Sequence, residues 1–368
     1  MKIERVQVLH LAIPFQHHFT TSFGQTTEHT TVVLRTYSEG LVGYGEATPF
    51  SGPVYCAETT NSVYYMLKDF ILPAVVGKDF ADAEALLAAI KWVRGNQFAK
   101  SAIEIAFWNL LAQTQGQPLH NLLGGTQKEV PIGVSIGIQD TPKELLARIE
   151  HFLKEGYRRI KIKIEPGWDV DIVAQVRRAY PDITLMVDAN SSYTLADAEH
   201  LRRLDDHNLL MIEQPLAYDD IVDHASLQKQ LETPICLDES IHSPEDARKA
   251  IALKSCRIIN VKPGRVGGYL NSMRIHDLCV ANDIGLWVGC MLETGIGQSS
   301  KIELASLPGF TLPADMAPSN RYYTKDLVEP AIVLTPRSTI VVSNDVGGSY
   351  QPVEDRIKKY TVKSFTAK

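Results

Sequence analysis

The chain has 368 residues, 45% hydrophobic and 22% charged, with a formal net charge of −6. That length supports a large core and two domains, and the composition is ordinary for a soluble globular protein. The negative balance, with no basic tract or aromatic–basic interleaving, argues against nucleic-acid binding, and no apolar run approaches the roughly 18 residues of a membrane helix.

The five cysteines (Cys56, Cys236, Cys256, Cys279, Cys290) form no CxxC pair. Such scattered thiols fit a reducing cytoplasm, and "MKIERVQVLHLAIPF" mixes charges into its apolar residues, unlike a signal peptide. Residues 1–50 alternate as strands, and 57–124 carry Ala/Leu-rich helical stretches such as "AKSAIEIAFWNLLAQTQ". From about residue 130 short apolar runs alternate with amphipathic stretches: "VPIGVSIGI", "YRRIKIKI", "ITLMVDAN", "LLMIEQP", "TPICLDES", "RIINVKPGR", "IGLWVGCMLE" and "FTLPADM". Eight strand–helix alternations predict a (β/α)8-type (TIM) barrel over 126–324, behind an α+β capping domain at 1–125. The β-like tail, 325–368, is expected to rejoin the capping domain.

Lys163, Asp188, Glu213, Asp238 and Lys262 each end an apolar run, at intervals of 25, 25, 25 and 24 residues. In a barrel that spacing brings them onto neighbouring strands at one height, around a shared mouth. Taken singly, Asp188 or Asp238 reads equally as the cap of the following helix, and Lys161 with Lys163 as the water-facing side of an edge strand. Taken together, three crowded acids need a counter-charge, which a divalent cation supplies; all-oxygen donors favour Mg²⁺ or Mn²⁺. His120, His224, His242 and His276 fall on no strand end and read as surface or helix residues.

Removing a proton next to a carboxylate creates an enediolate dianion, which demands positive charge already in place. A lysine base must be neutral to act, and the nearby metal and cations, Lys161 among them, are expected to lower its pKa toward the working range. Lys163 and Lys262, three strands apart, would face each other across the mouth. That arrangement suits racemisation, and equally elimination.

The stretches "KIKIEPGWDV", "VDANSSYTL", "IEQPL", "ICLDESI", "VKPGRVGGYL" and "GCMLETGIG" resemble the enolase superfamily, muconate-lactonizing subgroup. Within it, "KPGRVGG" and "LASLPGFTLPADMAPSNRYY" are similar to the o-succinylbenzoate synthase / N-acylamino-acid (N-succinylamino-acid) racemase family. The resemblance implies metal ligation by Asp188, Glu213 and Asp238, with Lys163 and Lys262 as acid/base residues, in the superfamily's general mechanism. It further implies that Lys161 contacts the substrate carboxylate and that Ser135, Asn190, Cys290 and Met291 line the pocket. Phe19 and Tyr55 would close it, unless they only pack, and Arg265 would mark members that racemise as well as dehydrate, unless it is a surface ion pair. No histidine ends the seventh strand, which disfavours a mandelate-racemase-type base. Ala317 stands where dipeptide epimerases tend to carry a second aspartate, and Gln298 departs from many relatives.

The expected activity is proton abstraction α to a carboxylate: dehydration to o-succinylbenzoate for menaquinone synthesis, racemisation of N-succinylamino acids, or both. Alternatives are a dipeptide epimerase, a cycloisomerase, a Schiff-base aldolase using Lys262, or a catalytically dead relative. A small-molecule carboxylate is the expected partner, and a homo-oligomer the expected assembly.

Overall fold

The computed structural model describes residues 1–368 except 22, 23 and 349, and leaves out the side chains of 17–21, 25 and 26. In the N-terminal part, β1 (Arg5–Thr21), β2 (Gly24–Ser38) and β3 (Leu41–Ala47) form an antiparallel meander. The 18-residue helix Gln97–Thr114 lies against β3. Gly43 and Gly45 permit that approach, because a Cβ at either would collide with the carbonyl oxygens of Ala106 and Ala102. Val6, Val8, Val32, Leu34, Phe98 and Phe107 fill the core between sheet and helices.

The second part is a parallel sheet in chain order: β4 (Val134–Ile136), β5 (Arg159–Lys163), β6 (Thr184–Asp188), β7 (Ile212–Glu213), β8 (Ile235–Leu237), β9 (Ile258–Val261) and β10 (Gly285–Val288). Lys163, Asp188 and Glu213 are register partners, but Glu213 pairs with Cys236, so Asp238 lies two residues further along. Cys236 pairs in turn with Ile258, which puts Lys262 four residues beyond its partner. Tilted strands require such steps for their ends to meet around one mouth.

"FTLPADM" forms no regular strand, contrary to expectation. Pro313 has no N–H to give a ladder, yet the segment still closes the barrel. Leu312 and Asp315 donate to the carbonyls of Leu286 and Val288 on β10; Ala314 donates to Pro131 and accepts from Gly133 beside β4. The Arg159 side chain stitches this seam, donating to the carbonyls of Val134, Pro313 and Ala314. Gly133 is required because a Cβ there would strike that guanidinium.

The tail is divided. Thr339–Val341 pairs antiparallel with Glu129–Pro131 beside the barrel, and the last strand, Thr361–Ala367, pairs with β1. Two buried glutamates join the layers. Glu104, on the helix Gln97–Thr114, accepts from the Tyr269 and Leu270 N–H groups that open the helix Tyr269–Val280. Glu46, on β3, accepts from Thr294 and from the Gly297 N–H at the start of the helix Gly295–Ala305. Each supplies from another layer the acceptor a helix N-terminus needs. Gly268 and Gly297 are bare because a Cβ would meet these carboxylates.

Candidate active site

A cavity of about 540 Å³, counting its open mouth, is lined by Tyr55, Ser135, Lys161, Lys163, Asp188, Asn190, Lys262, Cys290, Met291 and Asp315, with Phe50, Leu292 and Tyr322. Alternating side chains on β5 send Arg159, Lys161 and Lys163 inward as a column of cations. Lys161 and Lys163 are only 4% and 8% exposed, which rules out the water-facing strand.

Lys163 Nζ donates to Asp188 Oδ2 at 2.5 Å and Asn190 Oδ1 at 2.6 Å. Lys161 Nζ meets three carboxylates, Asp315 Oδ2 at 2.5 Å, Glu213 Oε2 at 2.9 Å and Asp188 Oδ2 at 3.4 Å. Asn260 also donates to Glu213, at 2.7 Å. Across the mouth, Lys262 Nζ donates to Asp238 Oδ2 at 2.7 Å and to the Tyr55 hydroxyl at 3.1 Å. Tyr55 donates to Asp238 Oδ1 at 3.1 Å and accepts from Arg265, whose guanidinium also pairs with Asp238. Asp238 is thus no helix cap, and Arg265, 1% exposed, is no surface ion pair.

The charges explain the titration behaviour. Burial pushes Asp188 up, and Lys163 with Lys161 outweighs it, bringing the carboxyl to about 2. Glu213 moves up, through burial and the neighbouring Asp188. Burial acts to lower Lys262, but Tyr55, Glu239 and Glu213 hold it above its ordinary value. Lys161 is likewise raised, by Asp315, Glu213 and Asp188 against burial. Lys161 and Lys262 are thus both held above the ordinary lysine value, because acidic groups around each ammonium outweigh its burial.

His120, His224 and His276 lie on helices, as expected, and are buried there; His224 Nε2 accepts from the Leu216 N–H. Ser135 lines the pocket with its hydroxyl unpaired, and Met291 reaches into the capping core. The Phe19 side chain lies outside the described residues.

Three charged residues escaped the sequence reading. Glu239 Oε1 accepts from Asn190 while its buried Oε2 has no partner, and burial lifts the acid to about 7. Asp315 pairs with both Lys161 and Arg159. Arg159 had a visible signal, sharing its strand face with Lys161 and Lys163; Glu239 adjoins Asp238; Asp315 depends on barrel closure.

The donors are all carboxylate or amide oxygens, and with the unpaired Glu239 oxygen they fit a hard divalent cation. Among the described residues no three acids converge closely enough to hold one ion as they stand, since Asp238 faces Lys262 and Arg265.

Residues 3–124 match the family described as Mandelate racemase / muconate lactonizing enzyme, N-terminal domain, and 144–355 match Enolase C-terminal domain-like. An o-succinylbenzoate synthase from Geobacillus kaustophilus is 48% identical over 363 residues, covering 98% of this chain and 96% of that one. An N-succinylamino acid racemase from Thermus thermophilus is 48% identical over 332 residues, covering 90% of each. A solved enolase-superfamily structure from Listeria innocua superposes with a TM-score of 0.96 at 36% identity, covering 100% of this chain and 99% of that one. Two lysine-bearing walls, the acids between them and these likenesses converge: the chain belongs to the enolase superfamily, among the mandelate racemase / muconate lactonizing enzymes.

Proposed function

We propose that this enzyme removes the proton α to a substrate carboxylate, with Lys163 and Lys262 as acid and base on opposite walls. The observation that carries the reading is their placement: β6, β7 and β8 separate them, four positions apart in an eight-position barrel. A substrate α-carbon between them loses its proton to one lysine, and the other returns a proton or steadies the charge. Either lysine must first shed its proton, and carboxylates that leave it for a cation would release it to do so.

Enzymes of this superfamily generally depend on a divalent metal. Here Asp188, Glu213 and Asp238 would hold Mg²⁺ or Mn²⁺, which as a Lewis acid stabilises charge on the substrate carboxylate. Charge balance supports this assignment. Arg159, Lys161, Lys163, Lys262 and Arg265 face Asp188, Glu213, Asp238, Glu239 and Asp315, all buried, and the upward shifts of Glu213 and Glu239 mark acids that further positive charge would ionise fully. A carboxylate substrate adds one negative charge and its deprotonation a second, which a divalent ion offsets. Lys161 lies within the same cavity to meet the substrate carboxylate, Tyr55 seals Lys262 from solvent, and Ser135, Asn190, Cys290 and Met291 face the bound molecule.

The reactions proposed are dehydration to o-succinylbenzoate and racemisation of N-succinylamino acids. Relatives carrying these two names stand at the same 48% identity, so both belong to the proposal. Among the described residues no helix is long and apolar enough to cross a membrane, and the five cysteines are free; both support a cytoplasmic enzyme, proposed as a homo-oligomer. Measuring kcat/KM for both substrates before and after chelation tests the reading. Activity should vanish and return with Mg²⁺ or Mn²⁺; undiminished turnover of both substrates after chelation would overturn it.

A further inference from the structure

An ammonium group has three protons to donate, and Lys161 has three carboxylates around it: Asp188, Glu213 and Asp315. Two of the three are the ligands proposed above for a divalent ion. An ion that takes Asp188 and Glu213 therefore strips Lys161 of two partners and sets a dication beside it. Asp315 alone remains.

Asp315 is built to stay. Its Oδ2 faces Lys161 at 2.5 Å and its Oδ1 accepts from Arg159 Nη2 at 2.6 Å, so both oxygens are held by cations. Arg159 is itself fixed by the carbonyls of Pro313 at 3.1 Å and Ala314 at 2.8 Å. The Trp287 ring backs the pair, 4.9 Å from Lys161 Nζ and 5.7 Å from the Arg159 guanidinium carbon. No such clamp holds Asp188 or Glu213, whose cationic partners are lysines.

We infer that Asp315, clamped by Arg159, is a positioning residue that keeps Lys161 in place beside the bound metal ion and offsets the repulsion between them. The inference rests on the metal-dependent reading above. It makes Lys161 available to a substrate carboxylate once the ion is loaded, with the protons Asp188 and Glu213 have released. It also makes metal affinity depend on a residue that is not a ligand, because a negative charge lost near a dication weakens its binding.

The test is titration of the metal-free protein with Mn²⁺ alone, followed by calorimetry or by the electron paramagnetic resonance signal of free Mn²⁺. Asp315→Asn should bind about tenfold more weakly than wild type, and Asp315→Glu, which keeps the charge, should return to within about threefold. A merely structural role predicts the reverse order, since the longer Glu disturbs packing more than the isosteric Asn. Asn binding within twofold of wild type, or Glu binding no better than Asn, would overturn the inference. Should Asp315→Asn not fold, Asp315→Glu decides: binding within threefold supports the inference and a tenfold loss overturns it. Wild-type protein that binds no Mn²⁺ overturns the metal reading itself, and so separates that failure from one confined to Asp315.

Discussion

The floor and the mouth of the barrel are made by the same strands two residues apart, and they have opposite chemistry. Met186, Met211, Cys236, Ile258 and Trp287 form a closed apolar cluster. Two residues further along the strands, the first four give way to Asp188, Glu213, Asp238 and Asn260, and Trp287 to Gly289. β5 differs, with the cations Arg159, Lys161 and Lys163 at successive inward positions. The difference teaches how a mouth dense with charge stays folded. The floor contributes packing and excludes water from beneath, so each charge above it must be paired, and β5 delivers the balancing cations.

The comparison breaks most sharply at the mouth. Lys163→Ala and Lys262→Ala should each reduce racemisation by about 10³-fold or more, while each retains α-proton exchange of one enantiomer. Deuterium incorporation followed by NMR checks this; equal exchange of both enantiomers by either variant would put the lysines on one face. On the floor, Trp287→Ala should cost about 3–5 kcal/mol in chemical denaturation. Part of that cost falls on Lys161 and Arg159, which lie over the indole.

Glu104 supplies a buried acid remote from the mouth, against which the mouth's titrations can be judged. Burial lifts it to about 7 despite the donors at Leu270, Tyr269 and Trp108. An acid raised on folding stabilises most below its ordinary value, near 4.5, and that stability is lost as pH rises through 7. Glu104→Gln should therefore flatten the unfolding free energy between pH 5 and 7, removing a slope of up to ~1.4 kcal/mol per pH unit. Urea melts across that range decide it, and an unchanged slope would refute it. The smallest effect belongs to Met186→Leu, a near volume-conserving change on the floor. It should cost less than about 1.5 kcal/mol in a urea melt and leave kcat within about twofold.

Much of the site was legible because a single rule wrote it: an apolar run, then an ionisable residue, repeated at nearly constant spacing. Lys163, Asp188, Glu213, Asp238 and Lys262 follow that rule and line or flank one cavity. Register was not legible, since equal spacing conceals the two-residue steps at Glu213/Cys236 and beyond. The eighth position was only half legible. Pro313 denies it a ladder, and its hydrogen bonds run to strands more than 20 residues earlier in the chain or at the barrel's opposite end. The ion pairing of Lys161 with Asp315 depends on that closure. Histidine burial escaped for another reason: His224 and His276 sit on helices, and each ring is accepted inside because both its nitrogens find partners, Leu216 and Asp220 for His224, Gly309 and Asp277 for His276.

The glutamates that finish helices in a neighbouring layer bear on how such proteins are recombined. A chimera that grafts the first 125 residues of a relative onto this barrel inherits two empty sockets unless the donor carries acids at the positions of Glu46 and Glu104. Similarity of overall shape is then a poor guide to which halves are interchangeable; the identity of two side chains, far apart in the chain from the glycines they face, decides it.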